Sequence, residues 1–227
     1  MNEKHPKSTS GEYVFKRDQD GELQLVADFE GFYRDTTDPW GQSGTDARLK
    51  LYYQHSRATL VDMISRHPAH TNILEIGCGL GYVTRQLADA LPGVAVSGMD
   101  ISATAAQHAR RKFPGLDFFQ GDIAAAEPPS NDQHDVVILN QLLWYVLVRM
   151  ENVFSNCYKM VSDGGLLVIS TGFLNQQEYG RDIVDGFDGL LDYCLHKQST
   201  NWKILDARYD DSGKFLHSDG IVILRKI

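Results

Sequence analysis

The chain has 227 residues, enough for one large α/β domain with a well-buried core and a short appendage. Hydrophobic residues at 42% and aromatics at 10% exclude wholesale disorder, and no apolar run approaches the length of a bilayer span. A formal net charge of −8 works against a phosphate-collecting surface, so nucleic acid is disfavoured as a substrate, although a local basic groove stays open.

The polar start MNEKHPKSTS has no apolar core like that of a secretory signal. Cys78, Cys157 and Cys194 are too scattered for a disulfide framework, and no C-x-x-C pair suggests a metal. Both observations point to the reducing cytoplasm, with no membrane and no metal.

Residues 1–11 read as a loose tail. YVFKR and ELQLV flank DQDG, whose Asp-Gly step predicts a small hairpin. DFEGFYRD predicts a short helix that runs into a turn at Asp38-Pro39-Trp40-Gly41. From Thr45 the pattern is periodic: Leu49, Tyr52, Tyr53, Leu60 and Ile64 recur at helical spacing up to a stop near Pro68.

Strand and helix signals then alternate. NILEI, VAVSGM, LDFFQ, DVVILN and GLLVIS read as strands, and YVTRQLADAL, ATAAQHARRKF and VRMENVFSNCYKMV as helices. Such alternation predicts an α/β fold with a mostly parallel sheet and helices on both faces. The amphipathic stretch EYGRDIVDGFDGLLDYCL leads to WKILDARYDD and GIVILRKI, which predict a closing antiparallel pair.

In ILEIGCGLGYVT a buried strand breaks at Gly77, Gly79 and Gly81 and runs straight into a helix, a loop whose amides can receive a polar ligand. The spacing is G-x-G-x-G, whereas the dinucleotide fingerprint needs G-x-G-x-x-G, and position 82 is a tyrosine. That favours a nucleoside ligand over a pyrophosphate. Asp100 ends the next strand, as expected of a carboxylate that accepts hydrogen bonds from a ribose diol; the competing reading is a helix N-cap. In Gln120-Gly121-Asp122-Ile123, Asp122 is placed to accept from an adenine amino group and Ile123 to pack on the ring, with loop capping as the plainer role for Asp122.

Over residues 45–227 these motifs, in this order, resemble the class I S-adenosylmethionine-dependent methyltransferases. The resemblance implies a Rossmann-like seven-stranded sheet ending in an antiparallel pair, with S-adenosylmethionine as methyl donor and S-adenosylhomocysteine as product. It maps the amino acid end of the donor to Glu75, Gly77, Cys78, Gly79 and Gly81, the ribose to Asp100 with Ile101 against the adenine, and the last acidic position to Asp122. DVVILNQLLWYV, SDGGLLVIS and DPWG are similar to nodulation-type and related small-molecule methyltransferases. In these a glutamate commonly follows the strand; here Gln141 stands there, followed by Trp144 and Tyr145, and an amide is a weaker partner for an amine acceptor.

The resemblance also implies that residues 1–44 hold a lid, which makes Tyr33 and Trp40 candidate substrate contacts along with Gln141, Trp144 and Tyr145. Asn140 ends its strand where α/β sheets bind ligands, and Arg48 and Arg57 are candidates for the donor's carboxylate. Methyl transfer is an in-line displacement that holds the acceptor lone pair about 3 Å from the methyl carbon. An acceptor hydroxyl needs a base, for which His55, on the helix that covers the donor in the family, is better placed than His134. The expectation is therefore transfer to oxygen or nitrogen of a small-molecule acceptor. The competing functions are a nicotinamide-dependent oxidoreductase and a non-catalytic donor-binding domain.

Overall fold

The computed structural model describes residues 13–45, 47–67, 71–215 and 217–227; the expected N-terminal tail, Pro68 and the Arg48 side chain lie outside the described residues. The hairpin forms as read, with β1 (Phe15–Arg17) antiparallel to β2 (Leu23–Leu25). Its turn is built by Asp18, whose carboxylate accepts the amides of Asp20 (3.0 Å) and Glu22 (2.9 Å), while Gly21 takes the left-handed φ of +85°. Helix α1 (Phe29–Asp35) starts where Asp28 accepts the Gly31 amide at 2.9 Å, and α2 (Ala47–Ser65) follows the Asp38 turn.

The main sheet contains β3 (Asn72–Ile76), β4 (Ala95–Asp100), β5 (Asp117–Gln120), β6 (His134–Asn140), β7 (Val161–Phe173), β8 (Trp202–Asp210) and β9 (Ser218–Lys226). Their order is β5-β4-β3-β6-β7-β9-β8, parallel from β5 to β7, with β9 antiparallel to both β7 and β8. The predicted closing pair is therefore present, with its second strand inserted beside β7. The connecting helices are α3 (Tyr82–Ala90), α4 (Ala103–Lys112), α5 (Leu143–Val146), α6 (Met150–Met160) and α7 (Gly186–Lys197).

Period-two alternation splits the apolar strand residues between two cores. Leu74, Val137, Leu139, Leu167 and Ile169 face one side, together with Phe154 and Cys157 of α6. Ile73, Val136, Ile138 and Val168 face the other, against Leu60 and Ile64 of α2 and Leu87 of α3. Burial on both faces explains why the strands read as nearly continuous apolar runs.

Two elements differ from expectation. The stretch from Glu178 is helical only from Gly186, because Gly180 and Gly186 adopt the left-handed φ of +71° and +66°, which interrupt a helix before that point. Strand β7 runs over Val161–Phe173, well past GLLVIS at both ends, because β9 pairs with it as far as Phe173↔Ser218.

The β4–β5 end of the sheet depends on one small residue. Gly98 in β4 pairs with Phe118 in β5, and a Cβ on Gly98 would lie 2.6 Å from the Phe118 ring and 2.9 Å from the Cys78 Cβ. Overpacking a site with no slack costs about 1–3 kcal/mol. Urea unfolding of Gly98→Ala is expected to show that loss, with part of it recovered by adding Phe118→Leu; an unchanged midpoint would show that the site has room.

Candidate functional site

The strand order reverses between β3 and β6, and at such a switch point the connections leave in opposite directions and open a crevice beyond the strand ends. A cavity of about 580 Å³ lies there, within the range typical of small-molecule sites. Its wall contains Gly77, Asp100, Ile101, Asp122, Ile123, Asn140, Gln141, Trp144, Tyr145, Tyr33 and Trp40, so most of the sequence-predicted site residues are brought together.

The glycine loop supports this wall more than it lines it. The amides of Gly77 and Cys78 both donate to Met99 O (2.8 and 3.0 Å), and that of Gly81 donates to Cys78 O (2.9 Å). Of these amides, expected to receive a ligand, those of Gly77 and Cys78 thus bind the end of β3 to β4, and that of Gly81 closes the loop on itself. Cys78 packs with Ala109 and Phe118 in a small apolar cluster, and a Cβ on Gly81 would strike the Phe118 ring at 2.7 Å. Cys78, Gly79 and Gly81 are not among the described cavity-lining residues.

Asp100 is the buried acid of the site. Its carboxylate accepts the amides of Gly79 (2.8 Å) and Ser102 (2.9 Å), and burial raises its pKa to about 6. The competing helix-cap role belongs to Ser102, whose hydroxyl accepts the Ala105 amide at 3.0 Å. Asp100 therefore keeps acceptor capacity directed at the cavity.

Glu75 sits one strand away with a different task. Its carboxylate accepts from Thr84 Oγ1 (2.5 Å) and Asn140 Nδ2 (2.8 Å), and burial raises its pKa against those bonds. It was expected at the donor's amino acid end, yet it is not among the described cavity-lining residues; it braces the loop helix and the end of β6. Beside it, Arg57 lines the cavity with its guanidinium over the rings of Tyr53 (4.8 Å) and Tyr82 (5.4 Å). Arg57 Nη2 donates to Gln42 O at 3.0 Å, while Nε is buried without a hydrogen-bond partner among the described residues. A buried donor left unpaired is costly, which makes Arg57 suited to an incoming carboxylate.

At the other end of the crevice, Ile101 is 40% exposed for want of anything packed on it, and Ile123 is buried opposite. Asp122 caps its own loop by accepting the Ala124 amide (2.9 Å) and pairs with Arg149 at 3.1 Å, so the plainer role is present alongside its place in the wall.

The N-terminal segment closes the top. Glu30 of α1 accepts from Ser102 Oγ (2.7 Å) and Thr104 Oγ1 (2.5 Å), clasping the N-terminal segment to the start of α4. Tyr33 lines the cavity and also lies over the glycine loop near Asp100: a Cβ on Gly79 would stand 2.6 Å from its hydroxyl. Tyr145 is surrounded by Phe29 (5.1 Å), Trp40 (5.8 Å) and Phe15 (6.0 Å), an aromatic cluster that joins hairpin, lid and sheet.

A second polar centre surrounds Gly172. A Cβ there would lie 3.2 Å from Tyr52 Oη, 3.4 Å from the His217 Cβ and 3.5 Å from Gln141 Oε1, and Trp144 Nε1 donates to Gly172 O at 2.7 Å. Gln141 takes a left-handed φ of 56°, rare for a residue with a Cβ. The conformation is held by its amide donating to Ser170 O (2.7 Å), its Oε1 accepting from Gly172 N (2.9 Å) and its Nε2 donating to Asp219 (3.3 Å). Burial raises the pKa of Asp219, which also accepts from Tyr52 Oη at 3.2 Å.

His55 does not reach this centre. Its Nε2 lies 2.9 Å from Asp210, its ring stacks on Phe215, and it is not among the described residues that line the cavity. His134 hydrogen-bonds Asn72 at the far end of the sheet. Sequence reasoning passed over His217, Gln42, Phe15, Phe29 and Ser56, all of which line the cavity. Only Tyr52 and Tyr53 carried a signal, through their helical spacing.

The family described as methyltransferase domain matches residues 74–167. Trans-aconitate 2-methyltransferase of Paracidovorax citrulli is 34% identical over 110 residues, 48% of this chain and 42% of the relative. Malonyl-[acyl-carrier protein] O-methyltransferase of Halalkalibacterium halodurans is 31% identical over 104 residues, 44% of this chain and 38% of the relative. The chain thus spans about two fifths of the length of these curated relatives. Among solved structures, N-methyltransferase NodS of Bradyrhizobium japonicum WM9 with S-adenosyl-L-homocysteine superposes with a TM-score of 0.63 at 15% identity, covering 87% of this chain and 97% of that one. The PH0226 protein of Pyrococcus horikoshii gives 0.64 at 16% identity, covering 88% and 100%. Residues 74–167 match the methyltransferase domain family, and the sheet order together with the superpositions gives the chain the Rossmann-like methyltransferase fold.

Proposed function

We propose that this chain transfers a methyl group from S-adenosylmethionine to an oxygen or nitrogen of a small-molecule acceptor, releasing S-adenosylhomocysteine. The observation that carries the reading is Asp100: a buried carboxylate at the end of β4, fixed by the Gly79 and Ser102 amides and facing a cavity at the switch point. Such a group suits a ribose diol, which supplies two hydroxyl donors to a fixed anion. Ile101 and Ile123 offer apolar faces to the adenine, with Asp122 at its edge. Arg57 suits the carboxylate of the donor, next to Gly77 and Asn140. Bound S-adenosylmethionine supplies an electrophilic methyl group on a sulfonium. The chain's task is then to align the acceptor and exclude water, for which residues 1–44 act as a lid on the domain of residues 45–227. Trp40, Gln141, Trp144 and Tyr145 form the acceptor wall. The curated relatives, named for trans-aconitate and malonyl-[acyl-carrier protein], support a small acceptor group.

Calorimetry is expected to show S-adenosylhomocysteine binding to the whole chain; no binding at millimolar ligand would overturn the reading. Asp100→Ala should weaken that binding by about 2 kcal/mol, roughly 30-fold, the scale of a charge-assisted hydrogen bond.

The same residue predicts a pH dependence. Because the folded pKa of Asp100, about 6, lies above its ordinary value of 3.8, the folded state holds this proton more tightly than the unfolded chain. Its contribution to stability is full below about pH 4 and is lost as pH rises through about 6. Donor binding prefers the ionised form and runs the other way. Affinity for S-adenosylhomocysteine should fall as pH is lowered from 7.5 to 5, and a profile that is flat in the wild type would remove Asp100 from the site.

A further inference from the structure

Near the end of β7 two side-chain oxygens face one small space. A Cβ on Gly172 would stand 3.2 Å from Tyr52 Oη and 3.5 Å from Gln141 Oε1, with the His217 Cβ on a third side at 3.4 Å. Gly172, Tyr52 and Gln141 all line the cavity. What the two oxygens offer follows from where the protons around them go. The single O–H of Tyr52 is donated to Asp219 at 3.2 Å, so Oη meets any other partner with lone pairs only. Gln141 Oε1 accepts from Gly172 N at 2.9 Å and, as an amide oxygen, keeps a second lone pair. The Gln141 amide is held in this orientation at both ends, because Nε2 donates to Asp219 at 3.3 Å and a flip would set Nε2 against the Gly172 N–H. Two hydrogen-bond acceptors therefore border the space, and they suit a group that carries two donors.

A charge stands behind them. Asp219 on β9 is 5% exposed and accepts from Gln141, Tyr52 and Ser56, bonds that oppose the rise in pKa which burial imposes. Among the described residues no ion pair is formed to it: His55 acts on it from a distance and is itself paired with Asp210 at 2.9 Å. A buried carboxylate without a paired cation is costly, and a positive charge in front of Gly172 offsets part of that cost.

We propose that the acceptor is an amine, whose nitrogen docks in front of Gly172 with one N–H on Tyr52 Oη and another on Gln141 Oε1, and that Asp219 is the positioning residue and counter-charge behind both. This rests on the methyl-transfer reading. A neutral primary amine has two N–H donors and one lone pair, so engaging both donors leaves the lone pair for the methyl group. An amine that enters protonated first gives one proton to solvent. The nitrogen lone pair then forms the bond to the methyl carbon as the carbon–sulfur bond breaks, the bonding pair stays on sulfur, and the methylated ammonium loses a proton to solvent. Positive charge moves from sulfur to nitrogen in that step, and Asp219 stabilises it where it develops. A hydroxyl has one donor for the two oxygens, and a carboxylate has none and is repelled by Asp219. An amide at position 141 is by itself a weak partner for an amine, and the carboxylate from β9 makes up for it.

The test uses the whole chain saturated with S-adenosylhomocysteine and three probes that share one ring, benzylamine, benzyl alcohol and benzoate, with binding followed by calorimetry. The ring suits a cavity that Trp144 and Tyr145 line. Benzylamine is expected to bind about 10-fold tighter than benzyl alcohol, the scale of one hydrogen bond to a charged group, and benzoate is expected to bind most weakly. With S-adenosylmethionine in place of the product, mass analysis should show methylated benzylamine and no product from benzyl alcohol, benzoate or trans-aconitate. Equal binding of amine and alcohol, failure to methylate benzylamine, or product from any of the other three, in a protein that binds S-adenosylhomocysteine, overturns the acceptor class and leaves the donor reading intact; absence of that binding overturns the donor reading itself. Asp219→Asn should keep the affinity for S-adenosylhomocysteine and cut the preference for benzylamine over benzyl alcohol to less than about 3-fold, since the charge is gone while the size is kept. A preference left whole in that variant removes Asp219 from the role. Gly172→Ala puts a methyl group where the nitrogen is to sit, without touching Asp219. It should lose benzylamine binding and keep that of S-adenosylhomocysteine, and undiminished benzylamine binding would place the nitrogen elsewhere.

Discussion

The site depends on a carboxylate that has no ligand of its own. Glu75 is buried at the end of β3, and its oxygens accept from Thr84 on α3 and from Asn140 at the end of β6. Those bonds tie together the three elements that border the point where the strand order reverses. The backbone ladder already joins β3 to β6 as far as Ile76↔Leu139, and the Glu75 bonds add the start of the helix and the Asn140 side chain to that frame. Burial works against the charge, and the short bonds from Thr84 and Asn140 offset it. The desolvated carboxylate therefore fixes geometry more than it adds stability.

The N-terminal segment is attached to this frame by contacts of several kinds. Glu30 binds the hydroxyls at the start of α4, Arg17 pairs with Glu178, and Phe15 and Phe29 pack on Tyr145. The Arg17–Glu178 pair is exposed, and surface pairs of this sort contribute little. The attachment therefore rests on the Glu30 bonds and the aromatic cluster rather than on that pair. Those rings also line the cavity, so the surface that attaches the N-terminal segment is part of the cavity wall.

Much of this was legible in the sequence, and the reason is local. NILEI and DVVILN read as buried strands because their apolar runs are bounded by turn residues, and the structure places Ile73, Val136 and Ile138 on one face and Leu74, Val137 and Leu139 on the other. Gly77, Gly79 and Gly81 read as a tight loop because each takes a positive φ. What local pattern could not supply was which atoms the loop would spend on itself: the Gly77 and Cys78 amides go to Met99, whose carbonyl is brought there only by sheet pairing. His217 was silent for the same reason. It lies 45 residues beyond Gly172 along the chain and meets it only because β9 folds back beside β7. His55, by contrast, was given weight by its helix, yet the face it occupies points to Asp210.

The sheet itself separates the two halves of the proposed reaction. Strands β3, β4 and β5 lie on one side of the reversal and present Gly77, Asp100 and Asp122 at or just beyond their carboxyl ends. Strands β6, β7 and β9 lie on the other and bring Gln141, Gly172 and His217 together. Pairing between β6 and β7 stops at Asn140↔Ser170, whereas β7 and β9 continue to Phe173↔Ser218. The antiparallel pair thus projects past the end of its parallel neighbour and forms a wall where the parallel strands have ended. Gln141 turns the chain at that step, and its left-handed backbone follows from having to leave β6 while still bonding Ser170 and Gly172 on β7. In the proposed reaction a change of acceptor is met chiefly by β7 and β9, because the N-terminal segment also contacts the Asp100 side, through Glu30 on Ser102 and Tyr33 over Gly79.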